Sequence, residues 1–239
     1  MQDDTTDFEP LVTPEETNEA SDLSAEDVPQ TVFRVIDGSC PAIECDIPAQ
    51  TLLHARRDSF LAKSPNVELG PSTHEGFVAL QNQSSDTELL YVTPKQVGAV
   101  MVFDLSLHRQ GLIVAAPNLL AYDAVVDCEV VLDVALPSRP PYRLYHLKGT
   151  GRIVTFMAGD LFPLTLAADD QQQVNADLLA AMEPSLAFDL GQIDEDIYVA
   201  QLQGAGRIWM QSMPSVTFHH EADDVSASAA PKKSLFSRG

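Results

Sequence analysis

Histidines, cysteines, clustered carboxylates and two glycine–arginine motifs are the residues of this chain that could do chemistry. Their spacing decides what each is worth. The six histidines are His54, His74, His108, His146, His219 and His220. None stands at HxH or HExxH spacing with a carboxylate, so no metal site is written locally. His54 and His108 occupy matching turn regions that an internal symmetry would bring near one axis, yet each by itself reads as an exposed turn residue. Gly149-Thr150-Gly151-Arg152 and Gly204-Ala205-Gly206-Arg207 invite comparison with a phosphate-binding loop. No helix follows either copy, so no helix N-terminus is there to hold an anion. Gly149, Gly151, Gly204 and Gly206 therefore read as structural turns, and Arg152 and Arg207 as exposed or paired with carboxylates across units. Asp169-Asp170 and Asp194-Glu195-Asp196 fall in loops, whereas acid–base catalysis needs two carboxyls held in a cleft with separated pKa values. No G-x-S-x-G elbow supports a nucleophile. Cys45 and Cys128 alternate with apolar residues and read as small core side chains. These readings predict no catalytic residue, metal or cofactor, and hence a protein that is not an enzyme.

The elements that must position these residues are written three times. An apolar strand, a polar turn and an apolar stretch with a Leu-Ala pair recur as Ala42–Ile47 with Leu52–Ala62, Val100–Leu105 with Leu112–Asp123, and Leu161–Leu166 with Val174–Ala180. A second repeated element, strand, Gly-x-Gly turn and strand, starts at Leu147 and again at Leu202, about one repeat length apart. It reads as a hairpin, and Glu88–Gly98 fills the corresponding slot in the first unit without the glycines. Short β-branched and aromatic segments with frequent Gly and Pro punctuation, and no amphipathic helices between them, predict an all-β fold. Asp177–Met182 could pass for a helical turn, but its place in the repeat makes it strand-like. Arg207–Ser212 has no repeat body after it and is expected to return beside the first strand, closing the ring.

Composition sets the frame. The formal net charge is −21, of which residues 1–30 carry −10 with no Lys or Arg, residues 31–218 carry −11, and residues 219–239 are neutral. Residues 1–30 lack the apolar content to offset ordering entropy and are expected to be a disordered acidic arm. Residues 219–239 are expected to be a disordered tail, and 31–218 a single triplicated β domain. An acidic body repels phosphate backbones, which argues against nucleic acid as a partner. Three cysteines with no CxxC favour a reducing compartment. The acidic N-terminus and the absence of any long apolar run predict neither a secretory signal nor a membrane-spanning helix. Cytoplasmic is the expected location. The tail ends in Lys232-Lys233-Ser234-Leu235-Phe236-Ser237-Arg238. There Lys232, Lys233, Leu235, Phe236 and Arg238 form a short basic–apolar segment suited to a partner groove or a weak membrane contact.

The Gly-x-Gly-Arg-Ile segments, the run Leu112–Asp123 and the closing Arg207-Ile208-Trp209-Met210-Gln211-Ser212 resemble the altered-inheritance-of-mitochondria protein 24 family over about residues 31–218. The resemblance implies three pseudo-symmetric β-sandwich repeats around a pseudo-threefold axis, similar to the fold of the tryptophan RNA-binding attenuation protein. It also implies, for fungal members, action at the mitochondrial inner membrane. It brings no catalytic residues. The chain departs from the family in its first unit, where Pro48-Ala49-Gln50 and Arg57-Asp58-Ser59-Phe60 replace glycine-containing turns. The expected function is a non-enzymatic, oligomeric β-scaffold or adaptor that assembles with itself or with protein partners. The alternative is a small-molecule-binding or enzymatic cupin-like barrel with a pocket on the pseudo-threefold axis.

Overall fold

The computed structural model describes residues 29–73, 76–136, 139–194 and 197–215, and its regular elements there are strands and four short 3₁₀ turns. An opening strand, β1 (Val32–Ile36), precedes three sets of six. The first set is β2 (Ala42–Ile47), β3 (Leu52–Arg56), β4 (Phe60–Lys63), β5 (Val67–Ser72), β6 (Phe77–Asn82) and β7 (Glu88–Val92). The second is β8 (Gly98–Asp104), β9 (Leu112–Ala115), β10 (Leu119–Asp123), β11 (Asp127–Leu136), β12 (Arg139–Lys148) and β13 (Arg152–Ala158). The third is β14 (Leu161–Leu166), β15 (Gln171–Asn175), β16 (Leu179–Met182), β17 (Ala187–Asp194), β18 (Ile197–Gln203) and β19 (Gly206–Gln211).

Within every set the sixth strand pairs antiparallel with the first and the third. The fifth pairs with the second and the fourth. Successive sets join through one further contact, the second strand of one set against the third strand of the next, seen as β3–β10 and β9–β16. The result is four sheets, ordered β1-β2-β7-β4, β5-β6-β3-β10-β13-β8, β11-β12-β9-β16-β19-β14 and β15-β18-β17. Each of three apolar cores draws mainly on one set. Where one face is covered the burial alternates, as in β2, with Ile43, Cys45 and Ile47 inside. β10 is buried throughout because Leu119 and Tyr122 face the second core while Leu120 and Ala121 face the first.

The Leu-Ala pairs all fall at one bend of the fold, although Leu179-Ala180 lies one residue earlier in register than Leu61-Ala62 and Leu120-Ala121. Each set turns from its second to its third strand through a 3₁₀ turn, Arg57–Ser59, Ala116–Asn118 or Ala176–Leu178. Right after the turn the third strand carries a β-bulge, with register shifts at Phe60/Ala62, Leu119/Ala121 and Leu179/Ala181. The bulged residue is re-aimed, so that Leu120 enters the first core and Ala180 the second. The segment Asp177–Met182 accordingly divides: its start belongs to the 3₁₀ turn, and the strand begins at Leu179.

Three expectations need correction. The Gly-x-Gly segments are turns, with Gly149 at φ +118° and Gly204 at +105°. A Cβ on Gly151 would meet Val126 at 2.7 Å and one on Gly206 would meet Leu186 at 2.8 Å. They are not hairpins, however. β12 and β13 lie in different sheets, as do β18 and β19, so each turn carries the chain from one sheet to another. The equivalent link of the first set is residues 83–87 between β6 and β7, not Glu88–Gly98, which holds β7 itself. Finally, β19 does not return beside β1. A strand has two edges, and those of β19 are taken by β14 and β16, while β1 pairs with β2.

Where the other sets use glycines, the first uses a buried amide. Asn82 Nδ2 donates to the carbonyls of Ile47, Pro48 and Asp86 at 2.7–3.1 Å, and its Oδ1 accepts from Ser84 N at 2.8 Å. Gln50, at φ +57° in the neighbouring turn, donates through Nε2 to the carbonyls of Gln83 and Ser84. Removing the buried amide strands several backbone carbonyls. Asn82→Ala should lower the unfolding free energy in urea by about 2–4 kcal/mol, from a cost of about 1–3 kcal/mol per unsatisfied buried group. A loss below about 1 kcal/mol would show that the link holds without it.

Candidate interaction surface

The residues singled out for chemistry do not converge. His54 lies on β3, not in a turn, with its ring stacked on Tyr122 at 4.7 Å between centroids and Nδ1 3.2 Å from Thr73 Oγ1. His108 follows the 3₁₀ turn Leu105–Leu107 and meets Phe103 and Trp209 edge-on. The two rings thus belong to separate aromatic clusters at the two joints between sets. His146 sits 2.8 Å from the Gln110 carbonyl. His74, His219 and His220 lie outside the described residues, as do Lys232, Lys233, Leu235, Phe236 and Arg238. Among the described residues no group of three or more His, Cys, Asp and Glu could hold a metal ion.

The thiols of Cys45 and Cys128 are poor nucleophiles. Burial pushes Cys45 well above the ordinary thiol range, with Asp123, Asp46 and Glu44 adding to the shift. Burial also pushes Cys128 up to about 12. Both stay protonated at neutral pH. Asp170 Oδ2 accepts from Ala167 N at 2.7 Å and closes the turn before β15. Arg207 pairs with Glu183 of its own set, Nε to Oε1 at 3.4 Å, rather than across sets. Arg152 Nη1 approaches the Thr31 carbonyl at 3.4 Å.

One polar device repeats with a change of residue. An amide in the first two residues of each sixth strand donates to a side chain at the end of the third strand or just past it: Leu89 N to Ser64 Oγ, Arg152 N to Asp123 Oδ2, and Arg207 N to Glu183 Oε2. A second polar device, with no such recurrence, clamps the second set to the third. Asn118 Nδ2 donates to the Phe156 carbonyl, Gln211 Oε1 and Ser215 Oγ, and Gln211 Nε2 donates to the Asp177 carbonyl. Asn118 walls a cleft of about 370 Å³ with Tyr142, Arg143, Asp177 and Pro214. The cleft contains neither His54 nor His108, and its one amide side chain is engaged in holding the clamp. Sequence reasoning missed Asn82, Asn118 and Gln211 because a polar residue in a short apolar strand or turn carries no sign of burial.

What distinguishes this molecule is the two ends of its series of sets. β10 and β16 are third strands covered by a preceding set; β4, the third strand of the first set, has none. Leu119 and Leu120 are 0% and 3% exposed, and Leu179 and Ala180 are 1% and 0%. Their counterparts Phe60 and Leu61 are 42% and 56% exposed. At the other end β15, a second strand, has no following set, and Gln171, Gln172 and Gln173 are exposed. The outward faces beside these edges are polar. Register places Tyr91 where the later sets have Val154 and Trp209, and Glu44 where the second has Val102. Tyr91 donates to Glu44 Oε2 at 2.7 Å, and Arg34 of β1 bridges Glu44 and Asp46. The far end presents Gln171, Gln173, Gln201 and Gln203 in cross-strand pairs.

Comparison with known proteins places this architecture. The family model described as mitochondrial biogenesis AIM24 matches residues 33–213. An X-ray crystal structure of a Streptococcus pyogenes protein superposes with a TM-score of 0.68 at 14% identity, over 77% of this chain and 94% of that one. At that identity the likeness is one of fold. None of the curated proteins matches the chain.

Asp123 supplies a test of the strand-opening contact. Burial raises its carboxyl above the usual range, opposed by hydrogen bonds from Arg152 and Thr31. A raised folded-state pKa gives stability that is complete below the unfolded value of about 3.9 and is lost as pH rises through the folded value. Asn keeps the acceptor oxygen without the charge. Relative to Asp123→Asn, the wild type should therefore be favoured most at about pH 4 and lose ground by pH 7 in urea unfolding. A difference independent of pH would contradict the burial of this carboxylate.

Proposed function

The chain belongs to the AIM24 family, and we propose that it is a non-enzymatic, oligomeric β-scaffold that assembles with itself and with partner proteins. The observation that carries this reading is the bare strand at each end of the series, with Phe60 and Leu61 exposed on β4 where their counterparts are buried. Exposed strand edges are templates for pairing. We take the recurring strand pairing as three sandwich units in a pseudo-threefold arrangement. The bare edges of β4 and β15 make the ends of the series, not a central site, the working surfaces.

Other features support the same reading. Cys40, Cys45 and Cys128 are free thiols, as suits a reducing compartment such as the cytoplasm. No helix among the described residues is long and apolar enough to cross a membrane. We assign contact with a membrane surface to the basic–apolar segment Lys232–Arg238, whose composition suits it, and the −11 carried by residues 31–218 sets the protein against nucleic acid. The family description names mitochondrial biogenesis, a process rather than a reaction.

Native mass spectrometry of the full chain should show multiples of the 26.0 kDa protomer. Leu61→Asp should shift the distribution toward the monomer while moving Tm by less than about 2 °C, as an exposed substitution does. A strict monomer carrying a bound small molecule would instead favour the ligand-binding alternative.

A further inference from the structure

The four sheets contain an unfinished pattern. Both central sheets have the same composition: fourth, fifth and second strands of one set, then third, sixth and first strands of the next. The outer sheets are the two halves of that arrangement. β15-β18-β17 holds the second, fifth and fourth strands of the last set, and β4-β7-β2 holds the third, sixth and first strands of the first set, with β1 added beyond β2. Among the described pairings, β15 is the second strand without its joint and β4 the third strand without its joint.

We infer that a second copy of this chain completes the pattern head to tail, β15 of one protomer pairing antiparallel with β4 of the next. The inference rests on the self-assembling reading above and gives it a geometry. Its warrant is continuity with a joint already made twice inside the chain. At those joints Tyr122 stands opposite His54 and Met182 opposite Ile113. The strand registers make Lys63 the counterpart of Tyr122 and Met182, and Gln173 the counterpart of His54 and Ile113. The new joint therefore sets Lys63 opposite Gln173 and Ala62 opposite Val174. The composite sheet reads β17-β18-β15-β4-β7-β2-β1.

The cores carry the same asymmetry. The first core receives Leu120, Val154 and Phe156 from the following set, and the second receives Ala180, Ala181 and Trp209. The third receives nothing from a following set. Leu61, the bulge residue equivalent to Leu120 and Ala180, is the exposed side chain in position to supply the missing contact. Two of the six other sheet edges carry a proline, Pro71 in β5 and Pro163 in β14, each of which removes a ladder amide; β4 and β15 contain none. A heterologous contact of this kind closes into a ring or grows as an open chain.

Disulfide trapping tests the joint, with Cys40→Ser in every protein to remove the exposed native thiol. Residues directly opposite in an antiparallel pair have Cα atoms about 4.5–5.5 Å apart, within the span of a disulfide. Mixing full-length Lys63→Cys with Gln173→Cys under mild oxidation should give a band at twice the chain mass. Neither variant alone should give it, and the double variant should give a ladder of multimers. Dimer from Lys63→Cys alone at the same yield would show a face-to-face contact and overturn the inference. A double variant that yields only a fast-migrating monomer would show the two edges closing within one chain, and would overturn it too. Multimers in native mass spectrometry without the 63–173 cross-link remove this joint and leave the scaffold reading standing. Monomer alone removes both.

Discussion

A β-strand can hydrogen-bond along two edges, and the use of those edges organises everything else in this protein. In each set of six strands the fifth and sixth spend both edges inside their own set. The second and third strands spend one there and offer the other to a neighbouring set. β3–β10 and β9–β16 are the consequence. Because the joint runs through the middle of a sheet, each central sheet is built by two sets, and the half from the following set faces its own core on one side and the preceding set's core on the other. A chain of three sets must then leave one second strand and one third strand unspent, and the structure leaves β15 and β4.

The corners make the joint possible. The 3₁₀ turn between second and third strands sends the chain from one sheet to the next, and the bulge that follows re-aims one side chain toward the preceding set. Leu120 and Ala180 are buried by that geometry; Leu61 has the same geometry and no preceding set. The crossing between fifth and sixth strands is solved differently from set to set. Two copies use glycines with left-handed or crowded backbones, and the first uses the Asn82 amide. Local chemistry varied while the pairing scheme stayed.

Much of this could be read from the residues. The all-β class, most strand positions and the turn glycines all follow from short-range patterns. Pairing was not legible, and the reason is physical. A strand's partners are set by long-range packing, so Gly149–Gly151 looks the same whether it closes a hairpin or crosses from one sheet to another. The same limit misled the placement of Arg207–Ser212, whose two edges β14 and β16 occupy. The end surfaces were hidden for a related reason. Phe60-Leu61-Ala62 matches Leu119-Leu120-Ala121 as sequence and differs from it by having no neighbour. Polar substitutions such as Tyr91 for Val154 and Glu44 for Val102 become informative once register aligns the sets.

The central claim is that β4 and β15 are the two halves of one joint, filled by a second protomer. Amide hydrogen exchange across a dilution series reports on it directly, since protection of a strand follows its hydrogen bonding. The account predicts that the free-edge amides of β4 and β15 gain protection together as concentration rises, while those of β5 and β14 do not. Exchange in β4 and β15 that stays fast and equal at every concentration would contradict it.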